Sequence, residues 1–341
     1  MKPSEKLAQL TRSKHIPLIC TFELTRRCNL KCRHCYIDQP KTAKNELPTA
    51  AVKRILRQLA KAGSLNLVFT GGEIFLRDDI VELCRYARKL NFDLRLFTNA
   101  TLITEICASR LSKIGLSSIE ISLYGNKPEH ERVTGSKGSF EKTLKAIALL
   151  SRYKIPVTVK CPVIKTNFKS YGWIVDFAKK HKLNYRFDPA ISAKDSGDKS
   201  NLKYRLSGPQ LEILFSDPLI AEDHNSALGE PDLGCSAGLN LLAVGYDGTV
   251  YPCLQYMTPL GSLEEGKLSE IWNKNNKALT AIREITLKDM PECAKCALAA
   301  ICQRCPGIAL LEDKTLYGPS RIACKIASIQ ASVSSKNKRI Y

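Results

Sequence analysis

Between residues 18 and about 190 the chain alternates short apolar runs with amphipathic stretches, and this alternation restricts the fold more than any other feature. Apolar runs at 18–24, 65–70, 92–98, 118–123, 157–164 and 183–188 read as strands. Helical periodicity fills the intervals at 49–62, 78–90, 103–114, 140–153 and 171–181. Pro48-Thr49 opens the first helix and Asp78-Asp79 the second, while Ser139 stands where it would cap the fourth. Repeated β-then-α units imply an α/β fold with a parallel sheet and right-handed crossovers. Six strands make either an open sheet or a partial (β/α)6 TIM-like barrel, and both place function at the C-terminal strand ends.

The texture changes after residue 190. Residues 191–201 are polar and turn-rich, and 206–220 reads as one helix with a connection. From Cys235 onward, seven cysteines fall among short strand-like runs at 241–244 and 249–251, with a hairpin turn at Tyr246-Asp247-Gly248. A segment so poor in long periodic elements calls for covalent or metal staples. The expected organisation is an N-terminal segment (1–17), a barrel (18–190), a bridging region (191–234), a small cysteine-rich domain (235–330) and a basic tail (331–341).

Fourteen cysteines need an explanation. The N-terminus is charged and lacks the apolar centre of a secretory signal, and no apolar run reaches the roughly 18 residues a membrane-spanning helix needs. The expected location is therefore the cytoplasm, with no membrane partner. There a disulfide framework is not sustained, so clustered cysteines read as metal ligands or redox groups.

Cys28, Cys32 and Cys35 form a C-x3-C-x2-C loop directly after the first strand. Such a triplet arises in roughly 2% of shuffled chains of this composition, so the spacing is informative without being decisive. Three thiolates on one loop suit a cubane iron–sulfur cluster with one iron left open. A zinc site with His34 as the fourth ligand is the alternative. At the end of the second strand stands Gly71-Gly72-Glu73, where glycines permit close approach of a ligand to the backbone.

Together these motifs resemble the radical S-adenosylmethionine (SAM) superfamily. Asn99 and Ser122 match that family's third and fourth strand ends. The resemblance implies a [4Fe-4S] cluster on Cys28, Cys32 and Cys35 whose open iron chelates SAM. Tyr36 would lie beside the adenine, the Gly71-Gly72-Glu73 backbone would receive the methionine amino group, and Asn99 and Ser122 would contact the ribose or carboxylate. One-electron cleavage would give a 5′-deoxyadenosyl radical that abstracts hydrogen from the substrate, the protein supplying orientation and exclusion of solvent. Two positions depart from the pattern: Ile74 where proline usually follows the glutamate, and Tyr124 where aspartate is common.

The C-terminal set is more specific. Cys293-x2-Cys296-x5-Cys302-x2-Cys305 is expected in roughly one in a thousand shuffled chains, and Cys235, Gly248-x4-Cys253 and Cys324 complete the pattern. It is similar to the SPASM extension, with x2 where the last interval is usually x3. Two zinc knuckles are the plainer alternative. The resemblance implies two auxiliary iron–sulfur clusters, a far one on Cys293, Cys296, Cys302 and Cys324 and a near one on Cys235, Cys253 and Cys305. The near cluster's usual fourth cysteine is missing; Asp223, His224, Glu230 and Asp232 stand nearby.

Glu23 and Asp188, on the first and sixth strands, are candidates for substrate binding or proton transfer. Cys20 and Cys161 are strand residues that either pack or face the interior as hydrogen-atom donors, with packing favoured. Cys84 and Cys107 read as packed helix residues, and His34 and His130 as surface or loop residues.

The implied function is radical modification of a peptide: cross-linking, epimerisation or oxidation. Cofactor synthesis of the haem or quinone type and formylglycine formation are alternatives within the class; RNA modification and a plain iron–sulfur electron carrier are alternatives outside it. The expected partners are a precursor peptide and an electron donor such as flavodoxin or ferredoxin, with nucleic acid disfavoured by the C-terminal cysteines.

The basic residues are scattered, so the net charge of +19 reads first as solvated helix faces, with an acidic peptide partner as the alternative and nucleic acid after it. Binding of an acidic peptide is expected to weaken as salt rises, because exposed charges are screened beyond about 8 Å at physiological ionic strength. Titrations at low and high salt check this; an unchanged affinity would reduce the charge to a solubility feature. Transfer RNA in the same assay would reveal itself by a steeper salt slope.

Overall fold

Alternation along the strands sorts their side chains onto two faces. In β1 (Ile19–Thr25), Cys20, Phe22 and Leu24 are buried in the main core, and Thr21, Glu23 and Thr25 point to the other face. Leu67 and Phe69 of β2 (Asn66–Gly71) join that core, as do Leu94 and Leu96 of β3 (Asp93–Thr98) and Ile119 and Ile121 of β4 (Ser118–Ser122). Val157, Val159 and Cys161 of β5 (Val157–Pro162) and Phe187 of β6 (Asn184–Asp188) continue it. Helices cover this apolar face. In α2, after an N-terminal α1 (Pro3–Ser13), Val52, Ile55, Leu56 and Leu59 recur at helical spacing along Thr49–Lys61 and are fully buried.

The computed structural model describes residues 3–38, 45–220 and 235–338. Strands β1 to β6 are all parallel neighbours in chain order, joined by helices α2, α3 (Ile80–Lys89), α4 (Glu105–Ser112), α5 (Lys127–Thr134) with α6 (Ser139–Arg152), and α7 (Tyr171–Lys180). The result is the partial, TIM-like α/β barrel expected from the β-then-α alternation. Helix α5 is an addition the periodicity did not reveal: Asn126 caps it through Glu129 N, and Gly135 ends it in the left-handed region at φ 66°.

The helix starts differ from expectation in detail. Pro48 and Asp79 precede α2 and α3 without a side-chain cap, and Gly138 rather than Ser139 is the residue before α6. The Asp79 carboxylate is taken by Arg77 Nε and Nη2 and by Thr49 Oγ1, while Ser139 Oγ bonds back to Ser136 O. Both polar side chains are thus bonded away from the helix terminus.

Cys20 and Cys161 face the helices, so neither reaches the concave face as a hydrogen donor; Cys161 Sγ instead accepts from Asn167 Nδ2 at 3.5 Å. Cys84 is buried in the same core and Cys107 packs against it.

The sheet does not end at β1. A seventh strand, β7 (Leu241–Val244), pairs parallel with β1, Ile19 opposite Leu241, and turns antiparallel into β8 (Thr249–Tyr251) and β9 (Gly261–Ser262). The barrel and the cysteine-rich segment share one nine-stranded sheet. The described part of the stretch between them, to residue 220, is packed too: just before α8 (Gly208–Ser216), Arg205 clamps Glu312 through Nη1 and Nη2. The last helix, Arg321–Lys338, packs on α8 and runs through the segment expected to be a basic tail, burying Val333.

His130 is an inside residue rather than the surface or loop residue expected. It lies on α5 at 1% exposure, Nδ1 accepting from Tyr124 N at 3.4 Å, and burial pushes its pKa down to about 4. A histidine kept neutral in the fold and protonated in the unfolded chain contributes stability that is complete above about pH 6.5 and lost as pH falls towards 4. Denaturation midpoints between those limits should fall with pH in the parent. The slope should be shallower by close to one proton in His130→Gln.

Candidate active site

The strand end that launches the three-cysteine loop is built by backbone contact. A bulge between Glu23 and Thr25 bends β1, and Gly72 N and Glu73 N then donate to Thr25 O and Arg27 O, both at 2.8 Å. A Cβ on Gly71 would meet Thr25 O at 2.2 Å, and one on Gly72 would meet Arg27 O at 2.3 Å. Gly71 also sits at φ +151°, where other residues are strained. The close approach that these glycines permit is therefore to the start of the cysteine loop.

Glu73 is fully buried. Its carboxylate accepts from Thr98 Oγ1 (2.7 and 2.8 Å), Asn99 N (2.7 Å) and Phe75 N (3.0 Å). Burial pushes its pKa up and those donors pull it back. Asn99, thus positioned at the end of β3, donates through Nδ2 to Asn29 Oδ1 at 2.9 Å and lies 3.9 Å from Cys28 Sγ. Cys28 Sγ also receives Leu30 N at 3.4 Å, and the Tyr124 hydroxyl stands 4.0 Å from Cys32 Sγ.

Burial pushes the Cys28 thiol up to about 11 and the Cys32 thiol up to about 12, and the neighbouring cysteines add to both. A bound cation would favour the thiolate form that burial opposes, and the donors near the Cys28 and Cys32 sulfurs suit a bound cluster. Among the described residues no three His, Cys, Asp or Glu side chains converge on the volume of a single metal ion. His34 lies edge-on to the Tyr124 ring at 5.1 Å with Nδ1 buried and unpartnered, and burial pushes its pKa down to about 4.

Ser122 ends β4, half-buried, on the same face as Glu120. Tyr36 is half-buried at the far end of the cysteine loop, where its carbonyl accepts from Asp195 N at 2.9 Å. It lines a cavity of about 130 Å³ with Asp195, Gln255, Thr258 and Gly307.

The two acid candidates differ. Glu23 is buried at 1% exposure and bonded by Arg26 Nε at 3.1 Å; burial raises its pKa, Arg26 opposes this, and Asp195 and Asp247 add to it. Asp188 is exposed, with Oδ1 accepting from Ala190 N at 2.9 Å in a turn.

Arg26 and Arg27 were not foreseen. Arg26 joins Glu23 to Asp195 and lies over the Tyr246 ring at 5.2 Å, while Arg27 grips Glu46 at 2.9 and 3.0 Å. Two consecutive arginines between an apolar strand and the first cysteine were the available signal.

The C-terminal cysteines fall into two groups. Cys235, Cys253 and Cys305 are mutual neighbours, burial and the adjoining thiols raising the pKa of Cys235 and Cys253. Cys302 and Cys324 lie beside Cys293 and Cys296, with the same two causes raising both. Asp223, His224, Glu230 and Asp232 lie outside the described residues.

Comparison with known proteins adds to this geometry. The family model described as the radical SAM superfamily matches residues 22–178, and that of the SPASM iron-sulfur cluster-binding domain matches residues 235–306. The Fe-coproporphyrin III synthase of Methanosarcina barkeri is 26% identical over 93% of this chain and 92% of its own length. The PqqA peptide cyclase of Rhodopseudomonas palustris is 28% identical over 95% of this chain and 91% of its own. Among solved structures, Streptococcus suis SuiB bound to its precursor peptide SuiA superposes with a TM-score of 0.71, 19% identity and coverage of 95% and 81%. AdoMet-bound anSMEcpe gives 0.72, 20%, 94% and 97%. At such identities the likeness is one of fold.

The Gly72 contact yields a test. Gly72→Ala should displace the cysteine loop, and the reconstituted protein should lose about four irons while the C-terminal clusters stay. Iron analysis with EPR checks this; full iron content would show that the loop tolerates the methyl group.

Proposed function

Because the chain belongs to the radical SAM superfamily and carries a SPASM domain, its cofactors are SAM, a SAM-binding [4Fe-4S] cluster and auxiliary iron–sulfur clusters, and we propose that this enzyme abstracts hydrogen from a peptide, as a maturase of a ribosomally made precursor. When bound, the cluster and SAM supply one electron and a 5′-deoxyadenosyl radical. In this reading Cys28, Cys32 and Cys35 hold the SAM-binding cluster. Cys235, Cys253 and Cys305 hold a near auxiliary cluster, and Cys293, Cys296, Cys302 and Cys324 a far one.

The chain's own residues position and exclude. Asn99 and the backbone at Gly71–Glu73 hold the cysteine loop in register and face the SAM site together with Ser122 and Tyr36. The observation that carries the peptide reading is the cavity between Tyr36 and the loop after Cys253. At about 130 Å³ it lies well below the roughly 300 Å³ from which whole-ligand pockets start. It accepts one side chain of an extended chain and does not enclose a macrocycle. Asp195 in its lining is ion-paired with Arg26, which also holds Glu23.

Synthesis of a small cofactor is the second reading, supported by the full-length likeness to the Fe-coproporphyrin III synthase. Incubation with SAM, a reductant and either a precursor peptide or an iron porphyrin separates the two by which compound changes mass.

Anaerobically reconstituted protein with dithionite and SAM should release 5′-deoxyadenosine. Joint replacement of Cys28, Cys32 and Cys35 by alanine should abolish it while the C-terminal clusters persist. Undiminished product from that variant would remove the assignment.

A further inference from the structure

Tyr124 occupies a position where the resemblance leads one to expect aspartate. Two residues past the end of β4, it is 4% exposed and belongs to a small apolar cluster with Val133, Ile164 and Ile191, against which Cys32 packs. Its ring meets His34 edge-on at 5.1 Å and leans on His130 at 5.5 Å. Its hydroxyl lies 4.0 Å from Cys32 Sγ, a separation that a donor to the large sulfur atom can span.

Both partners hang from one helix. Tyr124 N donates to His130 Nδ1 on α5 at 3.4 Å. On the cysteine loop, Lys31 N and Arg33 N flank Cys32 and donate to Thr134 O and Val133 O, at 3.0 and 2.9 Å, at the end of the same helix. Gly125 then turns the chain away at φ +126°, where a Cβ would meet Ser170 Cβ at 2.6 Å. Hydroxyl and sulfur are thus placed independently against a common support. A phenol is protonated at neutral pH and donates one hydrogen, whereas an ionised carboxylate only accepts.

Resting on the reading in which Cys28, Cys32 and Cys35 hold the SAM-binding cluster, we propose that Tyr124 is a positioning residue acting through Cys32: its hydroxyl donates to the Cys32 sulfur and eases one-electron reduction of the bound cluster. The electron comes from an external reductant, which is oxidised by one electron. No bond is made or broken, and the proton stays on the tyrosine oxygen. A donor aimed at a ligand sulfur draws off negative charge, which stabilises the reduced form more than the oxidised one. A carboxylate in its place would add negative charge beside the sulfur and act in the opposite sense.

Redox titration of the anaerobically reconstituted protein with dithionite, followed by EPR, reads the effect. The signal that changes on adding SAM marks the loop's cluster, and the C-terminal clusters in the same sample are the reference. At the parent's midpoint potential, Tyr124→Phe should lower the ratio of reduced to oxidised loop cluster by about three- to ten-fold, part of the contribution of one hydrogen bond to a charged group. The C-terminal signals should not move. Tyr124→3-fluorotyrosine keeps the shape and the donor but makes the hydroxyl more acidic, so the ratio should rise. It also carries the test if the phenylalanine variant fails to retain the loop's iron. Tyr204→Phe is the control, because Tyr204 packs against the same apolar cluster while its hydroxyl accepts from Arg33 Nη1 at 3.3 Å. There the ratio should stay within about two-fold of the parent. An unchanged ratio at residue 124, shifts of both variants in one direction, or an equal shift in Tyr204→Phe would overturn the proposal. A parent with no SAM-responsive signal would remove the cluster assignment and the proposal with it.

Discussion

A single buried carboxyl group, held by hydrogen-bond donors, sets the geometry at the mouth of this barrel. Glu73 is fully buried, bonded by oriented donors on β3 and on its own turn, and among the described residues it forms no ion pair. A buried polar group of this kind tolerates little displacement, because any lost donor leaves it desolvated and unpartnered. The ends of β2 and β3 are thereby locked together, Asn99 is aimed at Asn29 and Cys28, and the neighbouring glycine backbone grips Thr25 and Arg27. The cysteine loop inherits its position from that lock.

How much of this could be read from residues alone depended on the kind of signal. Strand and helix positions in the barrel were legible because one face of each strand and one stripe of each helix are apolar. Helix α5 was not, since only His130, Val133 and Thr134 are buried in it and its pattern is too short. Asp79 does precede α3 as its start signal implied, but its carboxylate goes to Arg77 and Thr49, and Ser139 lies inside α6 instead of capping it, because a side chain's partner is a tertiary matter. Gly-Gly-Glu was recognised as functional from sequence, and the fold adds what sequence could not show: the glycines also accommodate the backbone at Thr25 and Arg27, and the glutamate side chain is bonded to Thr98, Asn99 and Phe75. The pairing of Arg26 with Asp195 joins residues 169 apart and had no local trace.

The C-terminal cysteines show the opposite case. The resemblance implied two groups that cross in sequence, and the fold places Cys305 with Cys235 and Cys253 while its sequence neighbour Cys302 sits with Cys324. That crossing requires the helix Pro306–Asp313 to approach the loop after Cys253 closely. A Cβ on Gly307 would lie 2.1 Å from Gln255 O, so only glycine permits it. From the same helix Glu312 reaches Arg205 and Ala193 N, tying the C-terminal part to the segment after β6.

The pairing of β1 with β7 has a consequence for biogenesis. One edge of β1 is satisfied by β2 soon after synthesis, but the other waits for a strand about 220 residues later in the chain. Through most of translation the first strand presents open backbone donors and acceptors to solvent, a template for wrong pairing. The same closure brings the Tyr246 hairpin over Arg26, at the base of the cysteine loop. Completion of the nascent sheet and maturation of the metal-binding mouth are thereby coupled, and a chain released early would carry an unguarded edge and an unfinished site at once.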